Sequence, residues 1–285
     1  MTRASLWIET GPEQPTLPSL DRDVHADVAV IGGGIVGITT ALLLAEAGVR
    51  VVLVEANRVA RVEAPGAARR REERGRRRHG HRDRPRGHSS QERIVQQTID
   101  EYGQIDVLIN NAGVGWQYGI DNPGTMAGIH EASLENWRDI IGGVDLEGYF
   151  LMIRATLPRM LERGSGSIVN VSSMAGVTGL YDAHAYTAAK GAITNLTRSM
   201  AIAYGKQGVR TNTVCPGFVD TPMIAPVIGV FDDKDTAAAL TPLGRPAQPQ
   251  EIANALLFFA SDESSYCNGS VLLVDGGCTA RSFPG

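Results

Sequence analysis

Residues 26–55 run ADVAVIGGGIVGITTALLLAEAGVRVVLVE. Ala26 to Ile31 is an apolar run of strand length, and the glycines from Gly32 onward end it. The following run, rich in Leu and Ala, is too long for an ordinary strand and closes on Gly48, which suits a helix C-cap. Val49–Glu55 is again strand-like. Strand, turn, helix and strand in that order predict two parallel strands, because a parallel pair needs a crossover connection of about a helix's length.

The same alternation resumes further on. SSQERIVQQTIDEYG predicts a helix with Ser89 or Ser90 as its N-cap, and IDVLIN a strand buried on both faces. The pattern then predicts helices over about 133–163, 183–204 and 249–261, and strands over 167–172, 209–214 and 270–274. The expected fold class is α/β: a doubly wound, mainly parallel Rossmann-type sheet with helices on both faces. Residues 58–88 interrupt it. They carry almost no aliphatic side chains and no period of 2 or 3.6, so an irregular, solvated segment is expected, with the third strand missing or irregular. The expected organisation is a polar arm over 1–25 and one domain over 26–285.

The 285 residues are 43% apolar, enough for one substantial core. No run of about eighteen uncharged apolar residues occurs, and the first twenty residues lack a secretory apolar stretch, so a cytoplasmic protein without membrane contact is expected. The net charge of −4 is uneven: residues 61–90 hold eleven Arg against four acidic residues, a charge of +7 that leaves the rest at −11. That balance, and the absence of any aromatic side chain in 61–90 on which a base could stack, argues against nucleic acid as a partner. Cys215, Cys267 and Cys278 have no metal-site spacing; free thiols and no bound metal are expected.

Gly32, Gly34 and Gly37 form Gly-x-Gly-x-x-Gly between a strand and a helix, and Glu55 follows Gly32 by 23 positions. Glycines permit a tight turn and close approach of a pyrophosphate to the helix N-terminus, and an acid at Glu55 accepts hydrogen bonds from ribose hydroxyls while repelling a 2′-phosphate. The expected cofactor is NAD; Arg58 and Arg61 nearby keep NADP open. Residues 26–57 also resemble the opening of FAD-dependent oxidoreductases of the amino-acid-oxidase type. That resemblance stops near Asn57 with the rest of a flavin domain absent, which disfavours FAD.

Further on stand Asn110-Asn111-Ala112-Gly113 at a strand end, Ser173 thirteen residues before Tyr186, the run Tyr186-Thr187-Ala188-Ala189-Lys190, and CPGFVDTPM from Cys215 to Met223. On a helix Tyr186 and Lys190 share a face. A free phenol, with a pKa of about 10, is a poor acid–base group at neutral pH; a neighbouring ammonium favours its phenolate. Only three lysines occur in the chain, against twenty-four arginines, and one is placed there. In this order the segments resemble the short-chain dehydrogenase/reductase family over about residues 89–280. The resemblance implies hydride transfer between NAD(P) and an alcohol or ketone. Tyr186 would transfer the proton, Ser173 hold the substrate oxygen, and Lys190 activate Tyr186 and hold the nicotinamide ribose. Asn110, Pro216, Gly217, Val219 and Thr221 would line the cofactor, and the last helix and strand would build a homotetramer or homodimer.

The sequence departs from that family in three places. Its glycine turn usually reads Thr-Gly-x-x-x-Gly-x-Gly, its third strand ends in Asp-Val where Gly87-His88 stands here, and its catalytic Asn is Asp145 in Val144-Asp145-Leu146. An ionised Asp145 accepts hydrogen bonds but cannot donate them. The alternative is therefore a fused or frameshifted short-chain dehydrogenase with impaired catalysis and weak cofactor binding. Trp116, Tyr118, Tyr181, His184 and Met223 are candidate pocket residues, and 222–240 a candidate lid.

Overall fold

The computed structural model describes residues 28–31, 35–46, 51–55, 58–62 and 90–280. Its strands are β1 (Val28–Ile31), β2 (Val51–Glu55), β3 (Arg58–Val62), β4 (Val107–Asn110), β5 (Gly166–Val171), β6 (Val209–Pro216) and β7 (Val271–Val274). The helices are α1 (Ile35–Glu46), α2 (Ser90–Tyr102), α3 (Trp116–Asp121), α4 (Leu134–Ile141), α5 (Tyr149–Arg163), α6 (His184–Tyr204), α7 (Lys234–Leu240) and α8 (Pro249–Ala260). All strands join one sheet in the order β3-β2-β1-β4-β5-β6-β7.

The alternation of side chains along each strand accounts for the layers. Val28 and Val30 of β1, Val107 and Ile109 of β4 and Val169 and Val171 of β5 face one core, shared with Ala41 and Leu44 of α1 and Ile252, Leu256 and Phe259 of α8. The residues between them, Ala29, Leu108 and Ile168, face the other core, with Val95 of α2, Met152, Leu157 and Met160 of α5 and Met200 of α6. A sheet buried on both faces favours apolar residues at consecutive positions, as in β1 and most of β4, while β5 and β6 also bury Asn170, Thr211, Asn212 and Thr213. The chain winds outward from β1 to β3, then returns to β4 on the other side of β1. The crevice where an open α/β sheet takes its ligands therefore lies at the carboxyl ends of β1 and β4.

Two expectations need correction. Residues 58–88 were expected to give no strand, yet Arg58–Val62 pairs with β2, with Glu55 opposite Arg58 and Val51 opposite Val62. The pairing is antiparallel; two residues between the strands suffice for a hairpin and are far too few for a crossover. The edge strand exists, in the opposite direction to a doubly wound unit. The single helix expected over 133–163 is also broken. After α4, Gly142 and Gly143 lead into a π-helical turn, Val144–Gly148, before α5 begins. A Cβ on Gly143 would collide with the Asp139 carbonyl oxygen, so glycine there permits the break. The expected N-cap of α2 falls at its edge: Ser90 opens the helix, and Ser89 lies outside the described residues. Among the described residues no helix is long and apolar enough to cross a membrane.

Candidate active site

The β4, β5 and β6 carboxyl ends are tied together beneath the site. Asn110 Nδ2 donates to Asn170 Oδ1 at 2.9 Å, Asn170 Nδ2 to Thr197 Oγ1 at 3.0 Å, and Thr213 Oγ1 to Thr197 Oγ1 at 2.6 Å. These four side chains are buried, and a buried hydrogen-bonded chain of this kind fixes the strands' register against α6. Helix α6 is fastened a second time: Ser172 Oγ donates to the Lys190 carbonyl at 2.8 Å, and Thr194 Oγ1 to Ser172 Oγ at 2.8 Å. A Cβ on Gly176 would stand 2.7 Å from Thr194 Oγ1 and 2.8 Å from the Lys190 carbonyl oxygen, so that glycine lets the chain after β5 close onto α6.

On this frame Ser173, two residues past the end of β5, is extended, its Oγ accepting the Ala175 N–H at 3.1 Å. Its hydroxyl stands close enough to the Tyr186 phenol to favour the phenolate. Tyr186 and Lys190 lie one turn apart on the buried face of α6, with Lys190 Nζ 5.5 Å from the Tyr186 ring centroid. The π-helical turn delivers Asp145 to the same point: Oδ1 lies 2.8 Å from Lys190 Nζ, at 0% and 4% side-chain exposure. That contact is charge against charge, off the axis of a well-aligned hydrogen bond. Asp145 Oδ2 accepts the Val114 N–H at 3.4 Å. A Cβ on Gly113 would stand 2.9 Å from Asp145 Oδ1 and 3.1 Å from Lys190 Nζ, so the Asn-Asn-Ala-Gly turn passes directly against the ion pair.

Burial sets the electrostatics. It raises the Tyr186 phenol above the ordinary tyrosine range; the Lys190 charge and the Ser173 hydroxyl pull it down, and Asp145 pushes it up again. Burial alone would discharge Lys190, but Asp145 and the phenols of Tyr149 and Tyr186 outweigh it and hold the ammonium well above its usual range. Sequence reasoning missed Tyr149. Its hydroxyl donates to the Val171 carbonyl at 2.9 Å, its ring centroid is 5.5 Å from Lys190 Nζ, and Lys190 donates to that carbonyl at 3.4 Å.

The remaining candidates divide. Pro216 ends β6 opposite Val274, and the Gly217 N–H donates to the Val274 carbonyl at 3.0 Å; a Cβ there would stand 2.8 Å from the Asp275 Cα. Val219 is buried, and Thr221 Oγ1 donates to its carbonyl at 3.2 Å. Gly37 is buried in α1 and Glu55 ends β2, whereas Gly32 and Gly34 lie outside the described residues. Of the pocket candidates, Trp116 packs edge-on to Tyr186 at 6.5 Å, and Met223 covers Gly115 next to it. Tyr118 donates to Asp139 at 2.6 Å, which pushes its phenol up to about 12, and His184 Nδ1 accepts the Ile129 N–H at 2.8 Å. Tyr181 is 95% exposed and lines nothing. The segment 222–240 consists of short helical turns and α7.

A family model described as enoyl-(acyl carrier protein) reductase matches residues 33–279. The chain belongs to the short-chain dehydrogenase/reductase family. It is 39% identical to cis-4-hydroxycyclohexanecarboxylate dehydrogenase of Sinomonas cyclohexanicum, over 89% of this chain and 96% of that one. It is 40% identical to meso-2,3-butanediol dehydrogenase of Serratia marcescens, over 68% and 72%. Its fold matches ligand-free aldohexose dehydrogenase of Thermoplasma acidophilum with a TM-score of 0.69 at 29% identity, covering 91% of this chain and 96% of that one. As a short-chain dehydrogenase/reductase, the chain is an NAD(P)-dependent oxidoreductase of the alcohol/carbonyl couple. The residues fit such a cofactor. Asn110 Oδ1, buried at the β4 end beside the crevice, has no hydrogen-bond partner among the described residues, and an ammonium and a phenol hydroxyl converge nearby.

Proposed function

We propose that this chain interconverts a small secondary alcohol and its ketone, with Tyr186 as the proton-transferring residue. The observation that supports it most is the meeting of the Tyr186 phenol with the Ser173 hydroxyl on one side and the Lys190 ammonium on the other. When bound, the nicotinamide gives or takes the hydride. Ser173 hydrogen-bonds the substrate oxygen, and Tyr186 gives that oxygen a proton in reduction and removes it in oxidation. Lys190 holds the nicotinamide ribose, and Asp145 pairs with Lys190. Asn110, Pro216, Gly217, Val219 and Thr221 border the nicotinamide half, and Gly32, Gly34, Gly37 and Glu55 the adenosine half, with NAD preferred over NADP. Trp116 and Met223 close over the substrate. The protein works in the cytoplasm as a homotetramer or homodimer built through α8 and β7.

The test uses purified protein, NADH and a panel of small cyclic and acyclic ketones. Tyr186→Phe should lower kcat about 10²- to 10⁴-fold while leaving the fold intact by circular dichroism; equal rates in the two proteins would remove Tyr186 from this role. A second reading, weak cofactor binding by an altered adenosine end, draws on the reversed direction of β3. Fluorescence titration with NADH separates the two: saturation at micromolar concentrations supports the first, and no saturation at millimolar the second.

A further inference from the structure

The Tyr186 environment holds one feature that proton transfer by itself does not require, a full negative charge 2.8 Å from the only ammonium beside the phenol among the described residues. Every packed element contributes to this surrounding. The π-helical turn brings Asp145, α5 brings Tyr149, α6 brings Lys190, and β6 brings the buried Cys215 thiol. The chain after β5 brings only the Ser172 and Ser173 hydroxyls, the turn after β4 only the Val114 N–H against Asp145, and α3 only the Trp116 ring. Of these groups, Lys190 alone carries positive charge and Asp145 alone is a carboxylate. With both in place the neighbourhood is neutral, and a Tyr186 phenolate would add an uncompensated buried charge. With a neutral side chain at 145, the same phenolate would be the counter-ion of Lys190.

We infer that Asp145 is a positioning residue that sets the pH range of catalysis: by occupying Lys190 it keeps Tyr186 a protonated phenol near neutral pH and moves the acid limb of alcohol oxidation to the alkaline side. This rests on the role of Tyr186 proposed above. In reduction the carbonyl carbon gains the hydride of the reduced dinucleotide, the carbonyl oxygen takes the Tyr186 proton, and the phenolate left behind is reprotonated from water. Oxidation needs the phenolate at the outset, so it should rise only on the alkaline side.

Asp145→Asn keeps the shape and an oxygen for the Val114 N–H while removing the charge. Phenolate absorbance is titrated in wild type and in Tyr186→Phe, without cofactor or substrate; the difference isolates Tyr186, and the same pair is measured with Asp145→Asn added. In wild type the Tyr186 phenol should ionise above the ordinary value of about 10, and Asp145→Asn should lower it by about one pH unit or more. The acid limb of cyclohexanol oxidation by NAD should move down by the same amount. An unchanged phenol titration in Asp145→Asn overturns the inference, as does a lowered titration with an unmoved oxidation limb. Should Asp145→Asn fail to fold, the wild-type difference titration still decides: ionisation at or below the ordinary tyrosine value overturns it. The absorbance titration needs no turnover, so activity surviving in Tyr186→Phe would remove the catalytic reading separately.

Discussion

The spacing of Ser173, Tyr186 and Lys190 made three of the site's side chains legible, because a fixed interval on one helix brings two groups to one face whatever the rest of the fold does. The Asp145–Lys190 pair was not legible as a pair. The two residues are far apart in sequence, and only the approach of the π-helical turn to α6 makes them neighbours. Tyr149 escaped for the same reason, being an unremarkable helix position until β5 presents it the Val171 carbonyl. The pair also carries a stability consequence. Lys190→Met leaves Asp145 as an unpaired buried charge and should cost about 3–5 kcal/mol in urea unfolding. Adding Asp145→Asn removes that charge and should recover most of the loss; a double variant as unstable as Lys190→Met alone would show that the ammonium's packing, not its charge, matters.

At the level of elements, the strands were legible because a sheet covered on both faces demands continuous apolar runs, as in β4, where Val107, Leu108, Ile109 and Asn110 are all buried. The break between α4 and α5 was not read, although Gly142-Gly143 marked it: the apolar rhythm continues on both sides, and two glycines alone do not say that the chain will take a wider turn. Since a Cβ on Gly143 meets the Asp139 backbone oxygen, Gly143→Ala should displace the turn that carries Asp145. A loss of about 1–3 kcal/mol in stability together with a shifted pH–rate profile is expected. Helix α8 supplies an acid-dependent case. Glu251 accepts the Gln248 N–H at 2.7 Å and both Arg245 guanidinium nitrogens at 2.8 Å, and the Arg245 hydrogen bonds, with that cap, lower its carboxyl to about 2. A depressed folded-state value means stability present above the ordinary carboxylate range and lost as pH falls toward 2. Both side chains are substantially exposed, so the effect is small. Glu251→Gln should melt slightly below wild type at pH 7, and the two curves should merge in acid.

For the whole molecule, the strand order places the crevice at the carboxyl ends of β1 and β4; the proposed function puts the nicotinamide half among β4, β5 and β6 and the adenosine half toward β2. The proposal for the first half could be made residue by residue from the sequence. The second was legible only as the β1-α1-β2 unit and Glu55, because an Arg-rich segment offers no apolar run from which an edge strand could be read, and β3 arises from a five-residue hairpin arm whose partner is the strand just before it. The register sets Arg58 opposite Glu55 at the β2 end, the end to which the proposed function assigns the adenosine ribose. An acid there favours a free hydroxyl, and an arginine accommodates a phosphate. If Glu55 governs, NADH at about 100 times its dissociation constant should add about 2.7 kcal/mol and raise Tm by several degrees. NADPH at the same concentration should do less, and Glu55→Gln should narrow the gap. A larger shift with NADPH would assign the choice to Arg58 instead, and no shift with either would mean that the hairpin edge leaves the adenosine half unable to hold a dinucleotide, whatever the state of Tyr186.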